Sequence, residues 1–93
     1  MRYPIAIELG DEKYAYGVVV PDIEGCFSAG DTLDEALINV HEAIDMMIEL
    51  ILEDGKPFPM PSSIENHIND PDLKLFIWTM VDVDVSRFLK CHV

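Results

Sequence analysis

Positive charge is what this sequence has least of. Six Lys and Arg stand against 18 Asp and Glu, a formal net charge of -12. Affinity for nucleic acid rests largely on cationic contacts to phosphate, so direct binding to DNA or RNA is not expected. Cysteine is nearly as scarce. Cys26 and Cys91 form no C-x-x-C pair, and His41, His67 and His92 fall in no H-E-x-x-H or comparable spacing, which sets zinc modules aside. No apolar run approaches the ~20 residues of a membrane span. Met1 to Leu9, broken by Arg2, Pro4 and Glu8, does not read as a secretory segment. The expectation is a cytoplasmic protein with reduced thiols. No G-x-S-x-G elbow, phosphate-binding loop or dinucleotide fingerprint occurs, nor any repeat or low-complexity tract. No cofactor is therefore expected.

What remains is a chain of 93 residues, 49% hydrophobic, enough for one core and one domain over residues 1–93. Its acidity suits a basic protein partner, because opposite fields steer association. Acidity also serves plain solubility.

Tyr3, Ile5, Ile7 and Leu9 alternate with Pro4, Ala6 and Glu8, the period of a strand. Gly10-Asp11-Glu12-Lys13 reads as a turn, and Tyr14 to Val20 as a second strand that pairs with the first. Pro21-Asp22 ends it, and residues 26–29 suit a short third strand. The helix signal is the clearest. Thr32 with Glu35 makes a capping box, and Gly55 is a good stop, which predicts a helix from Leu33 to about Glu53. Leu33, Ala36, Leu37, Val40, Ala43, Ile44, Met47, Ile48 and Ile51 share one face. Glu35, Glu42, Asp45, Glu49 and Glu53 share the opposite one, with Ile38 and Met46 beside them. The prolines of Lys56 to Pro61 predict an extended connection. Residues 63–68 suit a short second helix capped by Ser62 or Ser63, and residues 69–72 a turn. Leu73 to Val85 reads as a last strand, apolar on both faces in its middle and so buried on both sides or placed at an interface.

Chemistry is thinly represented. Asp82 and Asp84 share a strand face and could hold a divalent metal, but no further convergent oxygens accompany them, so solubilisation of a strand end is the better account and no metal is expected. Cys26 has no Lys, Arg or His beside it to activate it and reads as a small core residue. Trp78, in an apolar strand, reads as core rather than as a stacking platform.

Three runs carry a resemblance: Tyr3-Pro4-Ile5-Ala6-Ile7; the unbroken stretch from Gly17 through Pro21-Asp22-Ile23-Glu24-Gly25-Cys26-Phe27-Ser28-Ala29-Gly30 to Ala36; and Glu53 through Pro57-Phe58-Pro59-Met60-Pro61 to Ser62. Together they resemble the HicB family of antitoxins over nearly the whole chain. The resemblance implies an α+β fold, a β-β-β-α-β partial ribonuclease H-like sheet without nuclease activity. It also implies a partner, a small basic ribonuclease toxin of the HicA type whose active surface the antitoxin covers. Many relatives continue into a DNA-binding module, and residues 86–93 are too few for one, so operator binding is not expected of this chain.

On this reading the partner-binding candidates are Asp22, Ile23, Glu24 and Phe27 in the loop, and Glu35, Ile38, Glu42, Asp45, Met46 and Glu49 on the helix. Two further readings are a self-associating module joined through Phe76, Trp78 and Met80 or an edge strand, and a degenerate metal-dependent nuclease. The first of these makes a homo-oligomer; the second would run through Asp82.

Overall fold

The computed structural model describes residues 1–89. The elements run β1 (Arg2–Glu8), β2 (Tyr16–Val19), β3 (Phe27–Gly30), α1 (Leu33–Glu53), β4 (Ile77–Asp82) and α2 (Ser86–Leu89), with single 3-10 turns at Ile64–Asn66 and Pro71–Leu73 before β4. The four strands form one antiparallel sheet in the order β3-β2-β1-β4. This is the α+β, β-β-β-α-β arrangement that the family resemblance implies.

Strand alternation decides what each face holds. Tyr3, Ile5 and Ile7 of β1 lie opposite Val81, Thr79 and Ile77 of β4, and Ile7 lies opposite Val18 of β2, so these residues share one face. α1 packs over that face, chiefly on β3 and β2, and closes the core with Ala36, Val40, Ile44 and Ile48. Ile23, Cys26, Val83, Val85 and Phe88 complete it. Cys26 is thus the small core residue expected, and burial pushes its thiol up to about 11. Pro4 is tolerated inside β1 for a geometric reason. Met1 and Val83 exchange backbone hydrogen bonds, so odd-numbered residues of β1 bond towards β4 and even-numbered ones towards β2. The N–H that Pro4 lacks would point beyond the last β1–β2 pair, Ala6 with Val19, where no ladder bond is needed.

α1 has the bounds read from its sequence. The Thr32 hydroxyl accepts from the Glu35 N–H at 3.1 Å. At the other end Gly55 (φ 73°) donates to Leu52 and Lys56 donates to Ile51, the paired bonds of a Schellman stop. Gly30 has a different task. A Cβ there would sit 2.5 Å from the Ala36 nitrogen, so only glycine lets β3 run this close under the first turn of α1.

The strand lengths differ from expectation, because ladders need partners as well as patterns. β2 starts at Tyr16 rather than Tyr14, since the Asp11 carboxylate accepts from the N–H groups of Lys13 and Tyr14 and holds them in a turn. β4 spans Ile77–Asp82 rather than residues 73–85, and it is an edge strand rather than one buried on both sides. Its only partner is β1, which leaves the sheet after Glu8, so Leu75 has no strand to pair with and is 91% exposed. Asp70 and Pro71 draw Leu73 into a 3-10 turn instead. The predicted second helix around residue 64 is likewise a single 3-10 turn, and neither serine caps it with its side chain.

The connection after α1 wraps the sheet. Phe58 packs against the helix-side core and the Tyr3 hydroxyl donates to the Pro59 carbonyl at 2.7 Å. The chain then crosses to the other face, where the His67 ring stacks on Trp78 with centroids 6.0 Å apart and planes within 10°.

Candidate partner-binding surface

The outer face of α1 carries a row of carboxylates, with Lys56 and Arg87 beside Glu49 and Glu53 at its C-terminal end. Between Leu33 and Glu53 there are six carboxylates and no Lys or Arg. Glu42, Asp45, Glu49 and Glu53 follow one another at intervals of three and four residues, so each has a like charge one turn away. Among the described residues none of them forms an ion pair. Glu53 also lies in the last turn, where the helix dipole disfavours negative charge. Together the repulsive steps cost the free helix about 1 kcal/mol. Exposed apolar groups interrupt this row: Ile38 (61% exposed) sits between Glu35 and Glu42, and Met46 (57% exposed) and Leu50 lie along one edge. Fold geometry therefore brings Glu35, Ile38, Glu42, Asp45, Met46 and Glu49 onto one continuous surface. Leu50 belongs with them. The helical period, which places it beside Met46, is the signal that finds it.

The loop residues are not brought there as a set. Asp22 is no surface anchor. Its side chain is 9% exposed, and its carboxylate accepts from the Ser62 N–H (2.7 Å), the Ser62 hydroxyl (2.7 Å) and His67 Nε2 (2.9 Å). Burial works against ionisation of this carboxyl, but the bonds from Ser62 and His67 outweigh it and hold its pKa below the ordinary value. Ile23 is a core residue, 1% exposed, because the loop folds back through Ile23 N–H to Val20 and Cys26 N–H to Ile23. Both residues, expected in the binding set, thus have little exposed surface in this fold. Glu24 remains exposed at the loop tip. Phe27 is exposed as well, but it lies opposite Val19, on the sheet face away from α1.

Ser62 and His67 escaped the sequence reading as a functional pair, since no local signal links residues 40 and 45 positions downstream to Asp22. Their grouping with Asp22 has the residue types of a hydrolytic triad but not its geometry. The same ring atom, Nε2, meets both Ser62 Oγ and Asp22 Oδ1, whereas a relay needs the two ring nitrogens to face different partners. The serine hydroxyl donates to Asp22, so Nε2 must carry the proton that both oxygens accept. The cluster is a clamp that ties the wrapping segment to the end of β2.

Phe76, Trp78 and Met80 are each half-buried, and Trp78 and Met80 lie on the sheet face opposite α1, with Trp78 already partly covered by His67. Asp82 lies 3.4 Å from the N-terminal ammonium and Asp84 accepts from the Ser86 N–H at 3.0 Å. No group of three or more His, Cys, Asp or Glu among the described residues is placed to hold a metal ion. His41 is exposed on α1; Cys91 and His92 lie outside the described residues. No described helix is long and apolar enough to cross a membrane.

Residues 3–92 match the family model described as the HicB-like antitoxin of bacterial toxin–antitoxin systems. The chain belongs to that family. It is similar to an uncharacterised protein from the rep–hol intergenic region of Haemophilus phage HP1, 51% identical over 96% of this HicB-like chain and 65% of the phage protein. The HicB-like chain therefore spans about two thirds of that relative's length. Among solved structures it is similar to the N-terminal domain of the Burkholderia pseudomallei antitoxin HicB, with a TM-score of 0.74 and 38% identity over 90% of this chain and 99% of that one. It is also similar to a chain of a HicA3–HicB3 toxin–antitoxin complex, with a TM-score of 0.74 and 37% identity over the same shares of the two chains.

Proposed function

We propose that this HicB-like chain neutralises a small basic ribonuclease toxin of the HicA type by laying the outer face of α1 against the toxin's RNA-binding surface. The observation that carries the reading is the self-repelling carboxylate row of α1, unpaired among the described residues and studded with exposed Ile38 and Met46. A solubilising face gains nothing from like charges in register, whereas a surface that meets an RNA-binding protein gains from a row of negative charge spaced about 5–6 Å apart. Ile38, Met46 and Leu50 would supply apolar contact inside the charged field, and Glu24 would extend it from the loop tip. Binding, not turnover, is the task assigned, and direct contact with nucleic acid is not, given the net charge of -12. Family membership and the similarity to a chain of a HicA3–HicB3 complex support the same partner class.

The test uses a small basic ribonuclease toxin of the HicA type. Wild-type chain is expected to co-purify with it, to suppress its ribonuclease activity, and to release it progressively as salt rises. A Glu42→Lys/Glu49→Lys variant that folds normally but protects RNA from the toxin as poorly as no antitoxin would support the reading. Undiminished protection by that variant would end it.

A further inference from the structure

The carboxylate row ends at a groove. It is open, about 630 Å³ in volume, and lies between the last turns of α1, the turn after its Gly55 stop, and α2. A space of that size holds several side chains. Leu52 and Phe88 supply its apolar lining, Leu52 half-buried and Phe88 8% exposed. Glu49 and Glu53 enter it from α1, Lys56 from the turn and Arg87 from α2. Arg87 is held in place by its own neighbour, with its guanidinium carbon 4.3 Å from the centroid of the Phe88 ring. Neither Lys56 nor Arg87 forms an ion pair among the described residues, although two carboxylates line the same groove. Two of the chain's six cations thus stand unpaired at one end of a surface that otherwise suits a basic partner. The dipole at the C-terminal end of α1 favours Lys56 there. It does not account for Arg87, which belongs to another element.

We infer that this groove is the far end of the toxin-binding surface, and that it takes from the toxin an apolar side chain with a carboxylate beside it. The inference rests on the reading of α1 as the toxin-facing element. Glu49 belongs both to the carboxylate row and to the groove, so the two are continuous. The apolar side chain would rest on Leu52 and Phe88, and the carboxylate would meet Lys56 and Arg87. The groove also gives the complex a direction. A basic toxin surface could lie along a purely acidic row either way round. With two cations at one end, the reversed pose brings the toxin's carboxylate against Asp34 and Glu35 in the first turn of α1, where like charges repel.

Charge alone and the groove predict opposite results for one variant. Lys56→Glu/Arg87→Glu makes the chain more acidic by four charges, which by charge alone should tighten its hold on a basic toxin. The groove predicts that titration with a small basic ribonuclease toxin of the HicA type shows affinity lower by about tenfold or more. Lys13→Glu/Lys74→Glu changes the charge equally at two exposed positions outside the groove and should bind at least as tightly as wild type. Lys56→Arg/Arg87→Lys should keep its affinity. If Arg87→Glu lowers the melting temperature, Lys56→Glu alone carries the test, Lys56 being exposed and stacked on no ring. In the wild-type complex, a carbodiimide should join Lys56 Nζ to a toxin carboxylate, with no such amide from Lys13. Undiminished binding by Lys56→Glu/Arg87→Glu, an equal loss in both Lys→Glu pairs, or no cross-link from Lys56 overturns the inference. Glu42→Lys, on the row outside the groove, separates the two readings: if it weakens binding while the groove variant does not, the groove fails and the α1 surface stands. If Glu42→Lys binds undiminished, the α1 surface fails and the groove with it.

Discussion

Asp22 and the α1 carboxylates have the same chemistry and opposite employment. Asp22 receives three donors within 2.9 Å and is nearly withdrawn from solvent. Glu42, Asp45, Glu49 and Glu53 repel one another along a helix that itself bears no Lys or Arg, with Lys56 and Arg87 beside only its C-terminal end. A net charge of -12 therefore mixes charge already spent within the fold and charge left for something outside it. Only the second kind can meet a partner without first breaking the protein, and α1 sets six such carboxylates on one helix.

Exchanging the two environments breaks the comparison most directly. Asp22→Ala leaves the Ser62 N–H and hydroxyl and His67 without their acceptor, and denaturant unfolding should show a loss of about 2–3 kcal/mol. The Glu42→Lys/Glu49→Lys variant should do the reverse: titration against the toxin should show affinity lower by about 10- to 100-fold while unfolding shows no loss of stability. Acid sharpens the contrast. Because the folded Asp22 pKa is depressed, its contribution is present above the ordinary carboxylate range and is lost as pH falls through the depressed value. Melting temperatures below about pH 4 should thus fall more steeply for wild type than for Asp22→Asn. Thr32→Ala, which removes the cap of α1, should cost about 1 kcal/mol by the same unfolding measurement. The smallest effect carries the opposite sign: Glu49→Gln should raise stability by a few tenths of a kcal/mol as it relieves its neighbours.

Legibility followed the range of the interactions. α1 could be read to the residue, because the Thr32 cap, the period of its apolar face and the Gly55 stop are all local. So could the acidic row, which is only the back of that period. The loop was misjudged for the opposite reason. Asp22 and Ile23 look like solvated turn residues beside Pro21 and Gly25, and nothing nearby announces that Ser62 and His67 return to claim the carboxylate or that Ile23 folds into the core. β4 was read too long because its apolar pattern outruns β1, the strand that must supply its hydrogen bonds. Phe27 was read as part of the loop surface, but it belongs to β3, where strand alternation turns it to the sheet face away from α1.

By itself the sequence determined the helix, the strand order of the first hairpin, the sign and placement of the charge on α1, and the family, since caps, periods and local motifs act within a few residues of one another. Tertiary structure alone decided which acids remain free and how far each strand runs. Those outcomes depend on groups 40 or more positions apart meeting in space, as Asp22 meets Ser62 and His67, and no local preference encodes such a meeting.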